Sequence, residues 1–422
     1  MKPESLMMSY GYKPEWSEGA IKSPIFQTST FEFKTAEEGK RFFELAYGHK
    51  KAKPNEKLGL IYSRINNPDL EILENRLCLW DRAEDAAVFE SGMSAISTVM
   101  LEFLNPGDLL LMSSPVYGGT DHFTKHVLDR FKINVLEFSA HDSNEEIEQR
   151  LMDSGMADKL AMIYAETPAN PTNAMIDLEA ISEIAQKYSS KERQVIFAVD
   201  NTYMGPLWQH PLKHGAHFVI YSATKYIGGH SDLIAGAVLG SKELMGRVKA
   251  LRTFLGNTAG PWTGWLLMRS LETLKVRMTQ QAENAEELAT YLDSHAMVES
   301  VYYPSIMRKS NDHLDNIMKK QCLSNGAMIS FDVIGGEKEA FAFLNNLSLV
   351  KLAVSLGSTE SLAQHPATMT HVDVSEEGRQ KMNITGKLVR LSVGIENIED
   401  LKWDVGQALE AIKEVKMKEV PA

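Results

Sequence analysis

Two short apolar runs, each closing on a chargeable side chain, constrain this chain more than any other feature in it. Val195-Ile196-Phe197-Ala198-Val199 ends at Asp200, and Phe218-Val219-Ile220-Tyr221 ends at Ser222-Ala223-Thr224-Lys225-Tyr226. Runs this short and this apolar read as buried strands. In an open α/β sheet, ligands collect outside the carboxyl ends of such strands. Here those ends carry an acid, a serine, a threonine and a lysine, followed by Gly228-Gly229, where backbone can come close to a ligand. Singly these residues are commonplace, because a lysine after a strand is usually a solvated cation and an aspartate there a turn former. In combination they meet the needs of pyridoxal phosphate: an amine for its aldehyde, an acid for its ring nitrogen and hydroxyls for its phosphate. Lys225 is the expected amine, Asp200 the acid, and Ser222 and Thr224 the phosphate ligands.

Further apolar runs at 86–89, 109–112 and 160–165 alternate with helical patterns through Ile96, Val99, Met100 and Phe103 and through Leu178, Ile181 and Ile184. That alternation predicts a mostly parallel sheet with helices on both faces over 86–240. Three of its junctions carry possible chemistry. Ser91-Gly92-Met93 opens a helix whose free amides and positive dipole suit an anion, although Ser-Gly is also a common helix cap. Tyr117 beside Gly118 and Gly119 could lie flat over an aromatic ligand, or close a turn. In Glu166-Thr167-Pro168-Ala169-Asn170-Pro171 two prolines fix Asn170.

Residues 1–66 show little periodicity, and the charged stretch from Lys50 to Lys57 reads as an exposed loop. Such an arm packs on its own domain or reaches over a neighbouring subunit. It ends at Tyr62-Ser63-Arg64, an aromatic hydroxyl beside a planar donor fork suited to phosphate or to a surface ion pair. At the other end of the chain, a helical pattern over 266–292 is long enough to link a large domain to a smaller one. The remainder reads as a small α/β unit, with strands at 327–331 and 388–393 and helices at 337–346 and from 399 to about 415. The expected division is an arm at 1–66, a cofactor domain at 67–275 and a small domain at 276–422. In the last of these, the loops holding Val354-Ser355-Leu356-Gly357 and His365–His371 are polar and irregular. Arg390 stands inside the apolar run Leu388-Val389-Arg390-Leu391-Ser392. A buried charge is costly unless paired, so either a protein carboxylate or a substrate carboxylate should meet it.

His210, His214 and His217 do not suggest a metal site, because Pro211 and Gly215 break any helix that could stack them; they read as solvated loop histidines. Trp262 and Trp265 read as a domain or subunit contact. The net charge of −12 argues against nucleic acid or an anionic membrane as partner. Cys78 and Cys322 form no C-x-x-C pair, so neither a disulfide framework nor a thiolate metal site is expected. With no signal-like h-region and no apolar run near the roughly 18 residues of a membrane span, a cytoplasmic location is expected.

Taken in order, Tyr62-Ser-Arg64, Ser91-Gly92-Met93, Tyr117-Gly-Gly-Thr120, Asp200-Asn-Thr-Tyr203, Ser222-Ala-Thr-Lys225-Tyr and Leu388-Val-Arg390-Leu-Ser resemble the motifs of one family. It is the pyridoxal-phosphate-dependent family of cysteine and methionine metabolism, which includes the cystathionine synthases and lyases and methionine γ-lyase. The resemblance runs from about Phe26 to the last helix. It implies a fold-type-I architecture of arm, cofactor domain and small domain, assembled as a homotetramer of two active dimers. It further implies phosphate ligands at Gly92, Met93, Ser222 and Thr224, with Tyr62 and Arg64 contributed by a partner subunit. By the same likeness Tyr117 stacks on the ring, Asp200 pairs with the ring nitrogen, Asn170 sits near the ring oxygen, and Arg390 with Ser355 binds the substrate α-carboxylate; elimination of a thiolate needs an acid near the leaving sulfur, and Tyr117 is the candidate. Val354 stands where cystathionine enzymes usually carry glutamate, and Ala353–Gly357 with Ala363–Ala367 looks most like methionine γ-lyase. Gly119 departs from that pattern, in which cysteine is usual, as does the 48–60 insertion. The implied activity is γ-elimination from L-methionine or a related thioether, with cystathionine γ-lyase or γ-synthase chemistry as the alternative. A catalytically silent relative is disfavoured by intact Lys225, Asp200, Tyr117 and Arg390.

Overall fold

The computed structural model describes residues 1–46, 48–54, 56 and 59–419, with side chains as far as Lys413. Asn55 and Lys57, part of the expected exposed loop and of the 48–60 insertion, lie outside the described residues.

Seven strands form the larger sheet: β1 (Asp85–Phe89), β2 (Leu109–Ser114), β3 (Asn134–Ser139), β4 (Leu160–Glu166), β5 (Ile196–Asp200), β6 (Phe218–Tyr221) and β7 (Gly236–Gly240), in the order β1-β7-β6-β5-β4-β2-β3. Strands β3, β2, β4, β5 and β6 run parallel, while β7 is antiparallel to both β6 and β1. Successive side chains point to opposite faces, so each strand feeds two cores. Met162, Tyr164, Ala198 and Ile220 pack under the helix Gly92–Phe103, whereas Ile163, Ala165, Phe197 and Val199 pack against Leu178–Lys187. Burial on both faces is why these strands are apolar throughout.

Register fixes what lies at the sheet's carboxyl edge. Glu166 pairs with Asp200, and Asp200 with Ile220, so the end of β5 lies beside the turn that follows β6.

The smaller sheet contains β8 (Val298–Tyr302), β9 (Met328–Val333), β10 (Lys351–Leu352), β11 (Leu362–Gln364) and β12 (Leu388–Ser392), ordered β10-β11-β12-β9-β8. Arg390 therefore sits in the middle strand, opposite Gln364 on one side and Ser330 on the other. The closing helix, Ile398–Glu419, packs on its outer face with Leu401, Val405 and Leu409 buried.

Three expectations need correction. The helical stretch at 266–292 is two helices, Pro261–Leu271 and Leu274–Asp293. Between them the Ser270 carbonyl accepts from the Arg277 guanidinium at 3.0 Å instead of continuing a straight ladder, and the same guanidinium donates to the Tyr226 carbonyl at 2.8 Å. The histidines at 210, 214 and 217 are half-buried rather than solvated. His217 Nδ1 accepts from the Phe197 amide at 2.9 Å, and His214 lies 2.9 Å from Glu179. Strands β3, β7, β8, β10 and β11 lie outside the runs read from the sequence. Among the described residues no helix is long and apolar enough to cross a membrane.

Candidate active site

The turn after β6 is held by its backbone. Thr224 N and Oγ1 both donate to the Ala235 carbonyl at 3.1 Å, and Oγ1 accepts from the Ala235 amide at 3.0 Å. That turn projects Lys225 into a half-buried position where its Nζ donates to Ser355 Oγ at 3.0 Å. Burial, reinforced by the nearby Arg390 charge, pushes the Lys225 pKa down to about 8. The amine is thus poised to act as a base.

Asp200, at the end of β5, is buried and accepts from the Tyr164 hydroxyl at 3.2 Å and the Thr202 amide at 3.0 Å. Its strand partner Glu166 is buried too, and desolvation raises both carboxyls above their ordinary range. Glu166 accepts from the amides of Tyr117 at 2.6 Å and Asn170 at 3.0 Å, so one carboxyl fixes two of the anticipated site residues. Nothing assigned Glu166 from the sequence, although it ends an apolar strand just as Asp200 does.

Ser91 caps the helix Gly92–Phe103 by accepting from the Ser94 amide at 3.1 Å. A Cβ at Gly92 would lie 2.9 Å from the Ser222 Cβ, so the helix start and the Ser222 turn touch only because glycine stands there. The two together make a cradle of amides and a hydroxyl suited to an anion. Met93 lies in the first turn of the same helix, and Tyr117 caps the helix Gly118–His126, its ring partly exposed.

On the opposite wall Ser355 has φ +105°, a conformation costly for a residue with a Cβ. Two contacts hold it there: its Oγ accepts from Lys225 and its carbonyl accepts from Arg390 at 2.7 Å. Val354 beside it is 56% exposed. Arg390 is 3% exposed, and among the described residues no carboxylate lies within ion-pair distance of it. Its partners are neutral, including Asn170 Oδ1 at 3.0 Å, which also accepts from the Tyr203 hydroxyl at 2.6 Å. Tyr203, like Glu166, escaped the sequence reading as a site residue. A cavity of about 810 Å³ opens beside Tyr117, with Asp121, His122, Thr370 and His371 among its walls.

Tyr62 and Arg64 stand apart from this group. Arg64 donates to the Thr253 carbonyl at 2.7 Å and lies 5.6 Å from the centre of the Tyr62 ring, which is 40% exposed. No hydrogen bond among the described residues joins either to the Lys225 turn. The remaining residues fit pyridoxal phosphate: a base-strength amine, a buried acid on the neighbouring strand and an amide cradle against Ser222.

Comparison with known proteins gives the same cofactor. The family described as Cys/Met metabolism PLP-dependent enzyme matches residues 4–410. An L-methionine gamma-lyase from Fusobacterium nucleatum subsp. polymorphum is 40% identical over 396 residues, covering 93% of this chain and 94% of that one. A cystathionine gamma-lyase from Bacillus subtilis is 40% identical over 413 residues, covering 98% and 100%. Among solved structures, cystathionine gamma synthase from Xanthomonas oryzae pv. oryzae in complex with aminoacrylate and cysteine superposes with a TM-score of 0.86 at 31% identity, covering 98% and 99%.

Proposed function

Because the chain belongs to the Cys/Met-metabolism PLP-dependent enzymes, of fold type I, we propose that it is a carbon–sulfur lyase. It catalyses γ-elimination from L-methionine or a related thioether amino acid, consuming water and releasing a thiol, 2-oxobutanoate and ammonia. Bound pyridoxal phosphate would supply the electron sink that makes the C–H bond of the amino-bearing carbon acidic. Asp200 would hold the proton on the ring nitrogen. Ser222, Thr224 and the amides at Gly92 and Met93 hold the phosphate, with the partner's copies of the 62 and 64 side chains completing it. Tyr117 would cover the face of the bound ring and Asn170 would lie near its ring oxygen. Lys225 removes the Cα proton and moves a proton at Cβ, and the Tyr117 hydroxyl protonates the departing sulfur. Arg390 and Ser355 hold the α-carboxylate. Val354 offers no acceptor to a distal ammonium and suits a methyl thioether.

The observation that carries this reading is Arg390, a buried cation that no carboxylate among the described residues meets, with the lowered-pKa amine of Lys225 close enough to feel its charge. A carboxylate receptor beside a base is what an α-amino acid substrate requires. Relatives named for both methionine and cystathionine support elimination as the shared chemistry. One observation favours cystathionine γ-lyase as a second reading: the cavity beside Tyr117 has room and wall carboxylates, Asp121 and Asp373, for a second amino-acid end.

The division into arm, cofactor domain and small domain is supported by the helix break at Glu272-Thr273, just ahead of 276. A homotetramer is supported by outward-facing Phe254 (81% exposed), Trp262 and Val276, apolar side chains that a second copy would cover. The Trp262–Trp265 stack belongs to that same region. We place the enzyme in the cytoplasm. The test is direct: purified protein, yellow with cofactor, should release 2-oxobutanoate and ammonia in equal amounts from L-methionine, and Lys225→Ala should abolish both colour and release. Colourless protein unchanged by added pyridoxal phosphate would contradict the reading.

A further inference from the structure

Arg390 has a partner on β11 as well as those already described. Gln364 lies directly across from it in the antiparallel pair, so the two side chains share a face. The guanidinium nitrogens can only donate, so the Gln364 amide turns its oxygen toward them. In that orientation the oxygen lies 3.0 to 3.3 Å from the three Arg390 nitrogens and 3.1 Å from Thr370 Oγ1. The remaining protons then follow in order. Gln364 oxygen only accepts, so the Thr370 hydroxyl spends its single proton there. Thr370 Oγ1, 2.9 Å from His371 Nδ1, must therefore accept, and His371 carries its proton on Nδ1. That leaves His371 Nε2 bare, and it is buried with no hydrogen-bond partner. Protonating it would strand a buried charge, in accord with the His371 pKa being pushed down to about 4 by burial and by Arg390.

We propose that Gln364, Thr370 and His371 form a one-directional hydrogen-bonded chain that positions the Arg390 guanidinium for the substrate carboxylate. This rests on the reading of Arg390 given above. Thr370 and His371 also line the cavity beside Tyr117, and toward the carboxylate all three act through Arg390 as positioning residues. Their loop is itself anchored, His365 Nε2 lying 2.8 Å from the Gly386 carbonyl, and the Thr370 carbonyl packs so tightly on the Tyr117 turn that a Cβ at Gly118 would sit 2.7 Å from it. The chain therefore ties the carboxylate receptor to the element that bears the ring-covering tyrosine.

The holoenzyme tests this with two probes that cannot eliminate: L-norleucine, which has a carboxylate, and n-pentylamine, which is the same molecule without it. Thr370→Val removes the hydroxyl at constant volume. It should weaken norleucine binding, and raise KM for L-methionine, about tenfold with kcat little changed, and leave pentylamine binding as it was. Thr370→Ser should recover most of the loss. Equal losses for both probes, or none for either, would overturn the chain. Wild-type enzyme that binds the two probes alike would overturn the Arg390 reading, and the chain with it. If Thr370→Val does not accumulate folded, Gln364→Glu decides: a protein carboxylate on Arg390 should suppress norleucine binding selectively, and undiminished norleucine binding would overturn the proposal.

Discussion

The chemistry of the site is set by individual burials more than by any unusual residue. Lys225 is an ordinary lysine whose surroundings make its ammonium easier to deprotonate, and Asp200 an ordinary aspartate whose desolvation favours a proton nearby. Asp200→Asn keeps the shape but cannot anchor a positive ring nitrogen, so kcat/KM should fall about 10²-fold or more while the visible absorbance persists. His371 makes a separate prediction about stability. Its folded pKa of about 4 lies below the ordinary 6.5, so between those values the unfolded chain takes up a proton that the folded chain refuses. Stability from this group is fully present above pH 6.5 and is lost as pH falls toward 4. Urea denaturation at pH 7 and pH 4.5 should show the difference in unfolding free energy shrinking by about 2 kcal/mol in His371→Gln; an unchanged difference would mean that the ring titrates normally. Asp200 and Lys225 were legible in the sequence because the ends of two neighbouring apolar runs together offer the acid, amine and hydroxyls that one cofactor needs. Glu166 and Tyr203 were not, since their importance lies in what they meet across strands and loops.

At the level of elements, strands buried on both faces announced themselves and the others did not. β4 and β5 are apolar up to the carboxylate that closes each and β6 throughout, whereas β3 is a half-exposed edge strand with Asn134 and Glu137 in it, and β10 is two exposed residues. The antiparallel β7, bounded by glycines, carries too short a run to separate it from a loop. The helix break at Glu272-Thr273 was invisible because its cause, the Arg277 guanidinium reaching Ser270 and Tyr226, is a tertiary contact overriding a continuous periodicity. Element packing also sets the proposed phosphate cradle. Gly92→Ala would push a methyl group into Ser222, and with neither backbone free to retreat the cofactor dissociation constant should rise about tenfold, measured by absorbance titration of the cofactor-stripped protein. An alanine variant that binds as tightly as wild type would show that the two elements part easily.

For the whole molecule, the arm is the piece that a single chain leaves unexplained. Arg64 donates to the Thr253 carbonyl of its own chain and lies over the Tyr62 ring, and neither side chain hydrogen-bonds to the Lys225 turn, which is intelligible if they serve a neighbouring copy. Two inactive variants, Lys225→Ala and Arg64→Ala, should then complement when unfolded together and reassembled, because a hybrid dimer contains one site with both native residues; about a quarter of wild-type activity is expected from random pairing. No recovery would put Arg64 outside the site. The claim on which everything else depends is the reaction, and it is tested most directly by presenting L-methionine and L-cystathionine side by side to the holoenzyme and following 2-oxobutanoate. The expected result is release from L-methionine matched by an equal amount of thiol, with kcat/KM exceeding that for cystathionine by about tenfold, the margin an apolar contact at Val354 can supply. Release from cystathionine alone, or no release from either while cysteine is joined to an activated homoserine, would contradict it.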